Sequence, residues 1–233
     1  MISQVLLIGF LSCRLTALGQ APIQSTWEVK RTFDFSVTGD GSAPEWAKAV
    51  WLELPQREIK NLQYATNVKI LYSDSGIYCL YSCEDHFITA TLQEDFADLF
   101  NEDVVEAFFW PDDTRPVYFE YELSPLGYEL PILVPNFNGK FLGWRPWHYE
   151  GNRKTKHASK INKEGNRVSS WTAEFFIPFV LFKPLNNVPP GPGTRWRANF
   201  YRIDYDQPGL EWSWQQTRTN FHDYDRFGTI VFQ

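Results

Sequence analysis

Apolar and polar positions along this chain alternate over short stretches far more often than they recur every three or four residues. Alternation with period two marks a half-buried strand, and Gly, Pro, Asn and Asp punctuate the stretches. Strands are predicted at Val68–Tyr72, Ile77–Cys83, Val104–Trp110, Tyr118–Leu123, Trp171–Ile177, Trp196–Asp204, Glu211–Trp214 and Gly228–Phe232. Asp74-Ser75-Gly76 supplies turn chemistry between the first two and predicts a hairpin. Short helical pieces are expected at Glu45–Leu52 and around Glu94–Leu99. Many short strands with turns between them imply an all-β fold: an antiparallel β-sandwich of immunoglobulin-like or jelly-roll type with few short helices. No internal repeat is found. Pro189-Pro190-Gly191-Pro192-Gly193 reads as a rigid connector inside one domain spanning residues 22–233.

The same alternation assigns faces. Val105, Ala107 and Phe109 form one apolar face of their strand, with Glu106 on the other between Val104 and Phe108. Phe119, Tyr121 and Leu123 face one way, and Tyr118, Glu120 and Glu122 the other. Trp171, Ala173, Phe175 and Ile177 read as core. Two neighbouring strands are thus expected to share a packed face and an acid-and-aromatic face, the latter suited to a polar ligand.

Composition sharpens this picture. Of 233 residues, 43% are hydrophobic and 17% aromatic, including 10 Trp, 11 Tyr and 19 Phe, more rings than a core alone requires. A net charge of −6 argues against nucleic acid as a partner, which needs a basic surface. The basic stretch Arg153, Lys154, Lys156, Lys160, Lys163 and Arg167 is broken by Gly, Asn and Glu164 and reads as a solvated loop or hairpin. Met1–Ala21 has the character of a secretion signal, with a short apolar run Val5–Leu11 and small residues for cleavage after Gly19 or Ala21. Alternatively, Leu11-Ser12-Cys13 is a lipoprotein acceptor with Cys13 lipidated. The run is too short to span a bilayer, and no later segment is long and apolar enough. A secreted, periplasmic or cell-surface monomer is expected, with lipid anchoring as a variant. Cys79 and Cys83 lie on one face of one strand. At about 3.3 Å per residue their Cα atoms are roughly 13 Å apart, beyond disulfide reach, so both are expected as buried free thiols.

Mixed aromatic and acidic clusters are the candidate chemistry. Sugar C–H faces pack on rings, and sugar hydroxyls need paired donors and acceptors at the rim. Phe100 with Glu102, Asp103 and Glu106 has this mixture, as do the stretch holding Trp144 and Trp147 and the stretch from Phe221 to Phe227. Glu106, Glu120 and Glu122 invite a glycosidase reading, because that chemistry places an acid and a base or nucleophile across the scissile bond. The four His show no zinc-type spacing. Asp40, Glu45 and Asp85 are candidate calcium ligands, although no strict loop pattern is met. Met1 is the single methionine, which excludes Met/His-ligated haem in the mature chain. Nucleophile-elbow and phosphate-loop motifs are absent.

Four segments, in order, carry a resemblance: Asn67–Tyr78, Asp103–Phe109, Trp171–Phe179 and Asn199–Asp204, with Trp212-Ser213-Trp214 and Phe227-Gly228 closing. Together they resemble carbohydrate-binding module family 9, and more closely the single-domain family 9-like proteins of polysaccharide-degrading bacteria. The match runs from about Trp27 to Phe232. The resemblance implies a DOMON-like β-sandwich that holds a sugar, often a chain end, between two rings over a floor Glu. Matched by motif, the rings are Phe100 and Phe221, both Trp in the family, and the floor acid is Glu106. Glu120 stands where the family has Arg. Tyr201, Arg218 and the adjacent Arg202 match the polar contacts near the last strands. Asp40-Gly41 matches an early element, whereas the Ser42–Trp46 stretch departs from the family's acidic pattern.

The leading expectation is non-catalytic carbohydrate binding in extracytoplasmic polysaccharide utilisation, with an oligo- or polysaccharide partner. A glycoside hydrolase or accessory enzyme using Glu106 and Glu120 is the alternative, and an envelope protein-interaction domain the second alternative. A cleft would suit sugar, and a broad flat apolar patch would suit protein.

Overall fold

A computed structural model describes residues 26–206 and 209–233. The proposed signal, its cleavage sites and Cys13 lie outside the described residues. Fourteen strands form among the described residues: Thr26–Arg31 (β1), Leu52–Glu53 (β2), Thr66–Tyr72 (β3), Gly76–Glu84 (β4), Val104–Trp110 (β5), Val117–Leu123 (β6), Glu129–Phe137 (β7), Lys140–Phe141 (β8), Arg145–Pro146 (β9), Lys156–Glu164 (β10), Arg167–Pro178 (β11), Arg195–Asp204 (β12), Leu210–Ser213 (β13) and Gly228–Phe232 (β14). They follow the order β10-β11-β4-β3-β1-β14-β12-β5-β6-β7-β8. One layer is β10-β11-β4-β3 with β2, and the other is β14-β12-β5-β6-β7 with β13 and β9. β1 joins them at a corner. Thr26–Val29 run beside β14 and Lys30–Arg31 beside β3, both in parallel. Every other strand pairing among the described residues is antiparallel, so the expected antiparallel sandwich stands with one mixed corner.

The alternation read from sequence sets the core. Val105, Ala107, Phe109, Phe119, Tyr121 and Leu123 from one layer meet Ile70, Ile77, Cys79, Tyr81, Trp171, Ala173, Phe175 and Ile177 from the other. Full burial of each large side chain contributes about 1.5–3 kcal/mol, which fixes the register of both layers. Cys79 and Cys83 are buried and unbridged, and burial pushes the Cys83 thiol up to about 12.

Six strands escape sequence reading: β2, β8 and β9, which are only two residues each, and the longer β1, β7 and β10, which do so for physical reasons. β7 contains Pro131 and Pro135; it is tolerated because β7 has a full partner only in β6 and short ones in β8 and β9. β10 is rich in Lys and Ser because it is the outer strand of its layer, and it pairs with β11 as a hairpin. β1 is short and divides its pairing between two layers. The helical expectations reduce to 3-10 turns at Pro44–Lys48 and Leu99–Asn101, with Leu52 entering β2. No helix among the described residues is long and apolar enough to cross a membrane.

Candidate functional site

The outer face of β5, β6 and β12 is the acid-and-aromatic face anticipated from sequence, but it is not open. Segments before β5 and after β13 close over it and build a second apolar cluster from Leu99, Val104, Phe108, Tyr118, Tyr201, Phe221, Tyr224 and Phe227. Glu106, Glu120 and Glu122 are only 3%, 3% and 1% exposed. What remains open is a cleft of about 840 Å³ with Phe100, Glu106, Arg218 and Phe221 in its wall. Arg57, Glu58, Lys60, Asp204, Glu211, His222 and the Gln216–Asn220 loop also line it.

Phe100 sits on the 3-10 turn Leu99–Asn101, half-buried and edge-on to Trp144 at 6.1 Å. The turn is pinned from both sides. Glu102 accepts hydrogen bonds from Thr91 and Leu92 backbone N–H groups, and Asp103 accepts them from Thr89 and Tyr205. The Tyr205 hydroxyl donates to the Phe100 carbonyl at 2.7 Å. Glu102 and Asp103 are therefore committed to shaping the loop. Trp144 backs Phe100 and is not in the cleft wall.

Phe221 stacks on Tyr201 with ring centroids 4.1 Å apart and planes 11° apart. The Tyr201 hydroxyl donates to the Phe221 carbonyl at 2.8 Å and accepts from Asn199 at 2.6 Å. Tyr201 is fully buried, so it positions Phe221 instead of facing the cleft. The Arg57 guanidinium lies over the Phe221 ring at 5.2 Å, and it also pairs with Glu211 and donates to the Thr219 carbonyl. Phe221 thus comes with a cation already seated on it, a modification of the expected pair of bare rings. Arg218 pairs with Asp223 at 2.7 Å, which holds the loop it comes from.

Glu106 forms the floor. Its backbone carbonyl accepts from Tyr81, while no side-chain donor among the described residues serves its carboxyl group. Burial, reinforced by the charge of Glu211, pushes that group up to about 8. Glu122 lies directly across the ladder from Glu106, and Glu120 is on the same face of β6. Burial and mutual repulsion hold both well above the usual carboxylate range. Glu120 and Glu122 are sealed behind the floor and absent from the cleft wall. The expected Glu106 and Glu120 pair therefore does not flank a bond held in the cleft.

Two other expected contributors are placed elsewhere. Arg202 points to the opposite side of β12 from Tyr201 and is fully buried between the layers. There it meets Asp85 at 3.0 Å, Asp204, Thr66 and the Glu84 carbonyl. Adjacent residues in a strand face opposite ways, so Tyr201 and Arg202 cannot serve one surface. Trp147 packs against the main core and donates to the Leu181 carbonyl at 2.8 Å, with Arg153 over its ring.

The calcium candidates do not form one set. Asp40 accepts from Thr38 and Ser42 and pairs with Lys160, so its oxygens are occupied in shaping its turn. Glu45 lies in the first turn of the Pro44–Lys48 helix. Asp85 belongs to the only acidic trio among the described residues with oxygens within 4.8 Å of one another, with Asp204 and Asp206. Arg202 bridges Asp85 and Asp204 and already supplies the positive charge. These residues do not fit a calcium ion.

Arg57, Lys60 and Glu211 are missed by sequence reading. Arg57 and Glu211 are 154 positions apart, and the bridge between Gln56 and Trp212 brings their segments together.

Comparisons with known proteins place this architecture. No model of a known protein family matches the chain. A curated relative, "Extracellular protein" of Arthroderma benhamiae, is 25% identical over 178 residues, covering 72% of this chain and 78% of that protein. The solved structure of a "putative carbohydrate-binding protein" from Bacteroides uniformis superposes with a TM-score of 0.75 at 19% identity, covering 89% of this chain and 99% of that one. A family 9 carbohydrate-binding module from Caldicellulosiruptor kristjanssonii, solved with cellotriose, gives 0.64 at 14% identity, covering 89% and 93%. The same organism's module solved with glucose gives 0.62 at 13%, covering 88% and 95%. The chain has the β-sandwich fold of carbohydrate-binding module family 9.

Proposed function

We propose that this protein binds carbohydrate without transforming it, as a monomer acting outside the cytoplasm in polysaccharide utilisation. The observation that carries the reading is the cleft. A buried acid with no donor of its own forms its floor, a half-exposed ring stands at one wall, and hydrogen-bonding groups line the rest. A sugar ring supplies what such a site lacks: an apolar face for Phe100 and hydroxyl donors for Glu106. The sugars bound by the family 9 modules of the same fold support this, and the name of the Arthroderma relative supports a location outside the cytoplasm, secreted, periplasmic or held at the surface through Cys13. Hydrolysis is disfavoured because Glu120 and Glu122 are closed off behind the floor, where neither can serve as the second carboxyl across a bond. A flat protein-docking patch is disfavoured because the site is concave.

Titration calorimetry against neutral gluco- and xylo-oligosaccharides, together with amino-sugar oligomers, tests this. Saturable binding weakened at least tenfold, about 1.4 kcal/mol, by Phe100→Ala and by Glu106→Ala is expected. Binding by no sugar, or binding indifferent to both substitutions, overturns the reading.

A further inference from the structure

The charges of the cleft are unevenly satisfied. Each of its Lys and Arg side chains already has an acid of the protein: Arg57 has Glu211, Lys60 has Glu58, and Arg218 has Asp223 and Asp225; the remaining base of the wall is His222. Of its acids, Glu58 and Glu211 are answered in those pairs and Asp204 is answered by Arg202. Glu106 is the exception among the described residues of the wall. Behind it the imbalance deepens. Glu120 Oε2 and Glu122 Oε2 are buried with no hydrogen-bond partner. The nearest basic group is His222, with Nδ1 3.7 Å from Glu120 Oε2. That nitrogen is also bonded to the Tyr118 hydroxyl at 2.7 Å, and burial pulls the imidazole down to about 4, so it is neutral at physiological pH. Arg202, the one fully buried base among the described residues, faces the other side of the sheet.

Buried acids in such a setting are stabilised by a cation or by retained protons. Only Glu106 of these three opens to the cleft, so a cation that replaces the retained proton arrives with the ligand. We propose that the sugar bound here carries a free amino group, as in a 2-amino-2-deoxyhexose, and that its ammonium sits on Glu106. This rests on the carbohydrate-binding reading and names the sugar class of that same site. Phe100 takes the apolar face of the ring, and the ammonium answers the acids that the protein leaves unanswered. A neutral hydroxyl gives Glu106 one hydrogen bond and brings no charge to replace its proton. An N-acetyl group replaces the ammonium by a neutral amide with one donor.

The groups facing Glu106 are Glu122 and Glu120 from β6, Tyr201 from β12, and Glu211 and Arg57 at the rim. Tyr118 and His222 lie beside Glu120, and Asp98 acts on Glu122. No base among them sits on the acid floor. Arrival of an ammonium therefore favours ionisation of the floor, and a proton retained by the free protein leaves to solvent.

The test is calorimetry with glucosamine oligomers, their N-acetylated counterparts and glucose oligomers of equal length, at pH 6.5 in buffers of differing ionisation enthalpy. The free-amine oligomer is expected to bind at least tenfold more tightly, with net proton release. Glu106→Gln is expected to erase the preference while keeping weak binding to all three, and Glu120→Gln to reduce the proton release. Equal or tighter binding of the neutral or acetylated oligomer overturns this inference and leaves the carbohydrate reading intact. Binding of none of them overturns both. Binding of spermidine as tight as that of the glucosamine oligomer, or glucosamine binding untouched by Phe100→Ala, marks generic cation attraction and also overturns the inference.

Discussion

The two layers of this sandwich each carry a buried glutamate on the outer face, and the contrast between them separates scaffold from site. On β11, Glu174 is fully buried beneath the 38–46 segment. It accepts from Thr38 N–H and hydroxyl, both at 2.9 Å, from Gly39 N–H at 2.7 Å, from Gly41 N–H and from the Trp46 indole at 2.9 Å. Gly39 and Gly41 make this approach possible. Both have positive φ, and a Cβ on either would lie 2.8 Å from Ala158 Cβ or 2.5 Å from Leu80 Cδ2. On the other layer Glu106, Glu120 and Glu122 share a comparable burial, but Glu120 and Glu122 bond mainly to each other, with one backbone N–H from Phe100 on Glu122, and Glu106 has no donor among the described residues. A charge surrounded by donors is finished and holds a loop down. An acid left without donors at the bottom of a cleft costs stability and is retained where something else completes it.

The contrast can be broken at several points. The largest effect is expected from Glu174→Ala. It strands at least two buried donors, each costing about 1–3 kcal/mol, so stability should fall by about 3–5 kcal/mol. Chemical denaturation measures this, and a loss below 1 kcal/mol would mean that the acceptor network is not holding the loop. Glu120→Gln is expected to act in the opposite direction, raising stability at pH 8 and changing it little at pH 5. Glu106, Glu120 and Glu122 have raised folded-state pKa values, so the native chain holds protons that the unfolded chain has released. Stability therefore falls as pH rises from about 4.5 through about 8. Asp85 at about 6 and Asp103 at about 7 add the same sign over a narrower window. Thermal unfolding between pH 5 and 8 should show a declining midpoint that Glu120→Gln flattens. A midpoint that instead climbs over this range would contradict the assignment. The smallest effect is expected from Tyr201→Phe. It removes the hydroxyl that holds the Phe221 carbonyl, costing about 1 kcal/mol and weakening ligand binding a few-fold through Phe221. Equal affinity of variant and parent would show that Phe221 does not need this support.

Much of the scaffold was legible because alternation is a local signal. Val105, Ala107 and Phe109 against Glu106 could be read directly, and the strand bounds 104–110 follow from them. The family resemblance named Phe100, Glu106, Arg218 and Phe221, and the structure brings these four into one cleft wall. It could not tell that Tyr201 works from behind Phe221. The neighbouring Arg202 was misplaced because matching one step along a strand reverses the face. Trp144 and Trp147 belong by sequence to a mixed aromatic stretch with the character of a sugar site, yet one backs Phe100 and the other packs on the core. β7 was hidden by its prolines and β10 by its charges, since both lack the apolar alternation of a central strand.

What the sequence determined by itself is the set of alternating strands, the identity of the two packed faces and the richness in rings and acids, because these depend on neighbours two residues apart. What only the tertiary structure decided is which acids receive partners. Glu174 finds its donors more than 120 residues away, Arg57 meets Glu211 across 154 positions, and Glu106 meets Glu122 across a ladder. Pairing of buried charge is set by chain segments that meet only after folding, and local pattern carries no record of those meetings.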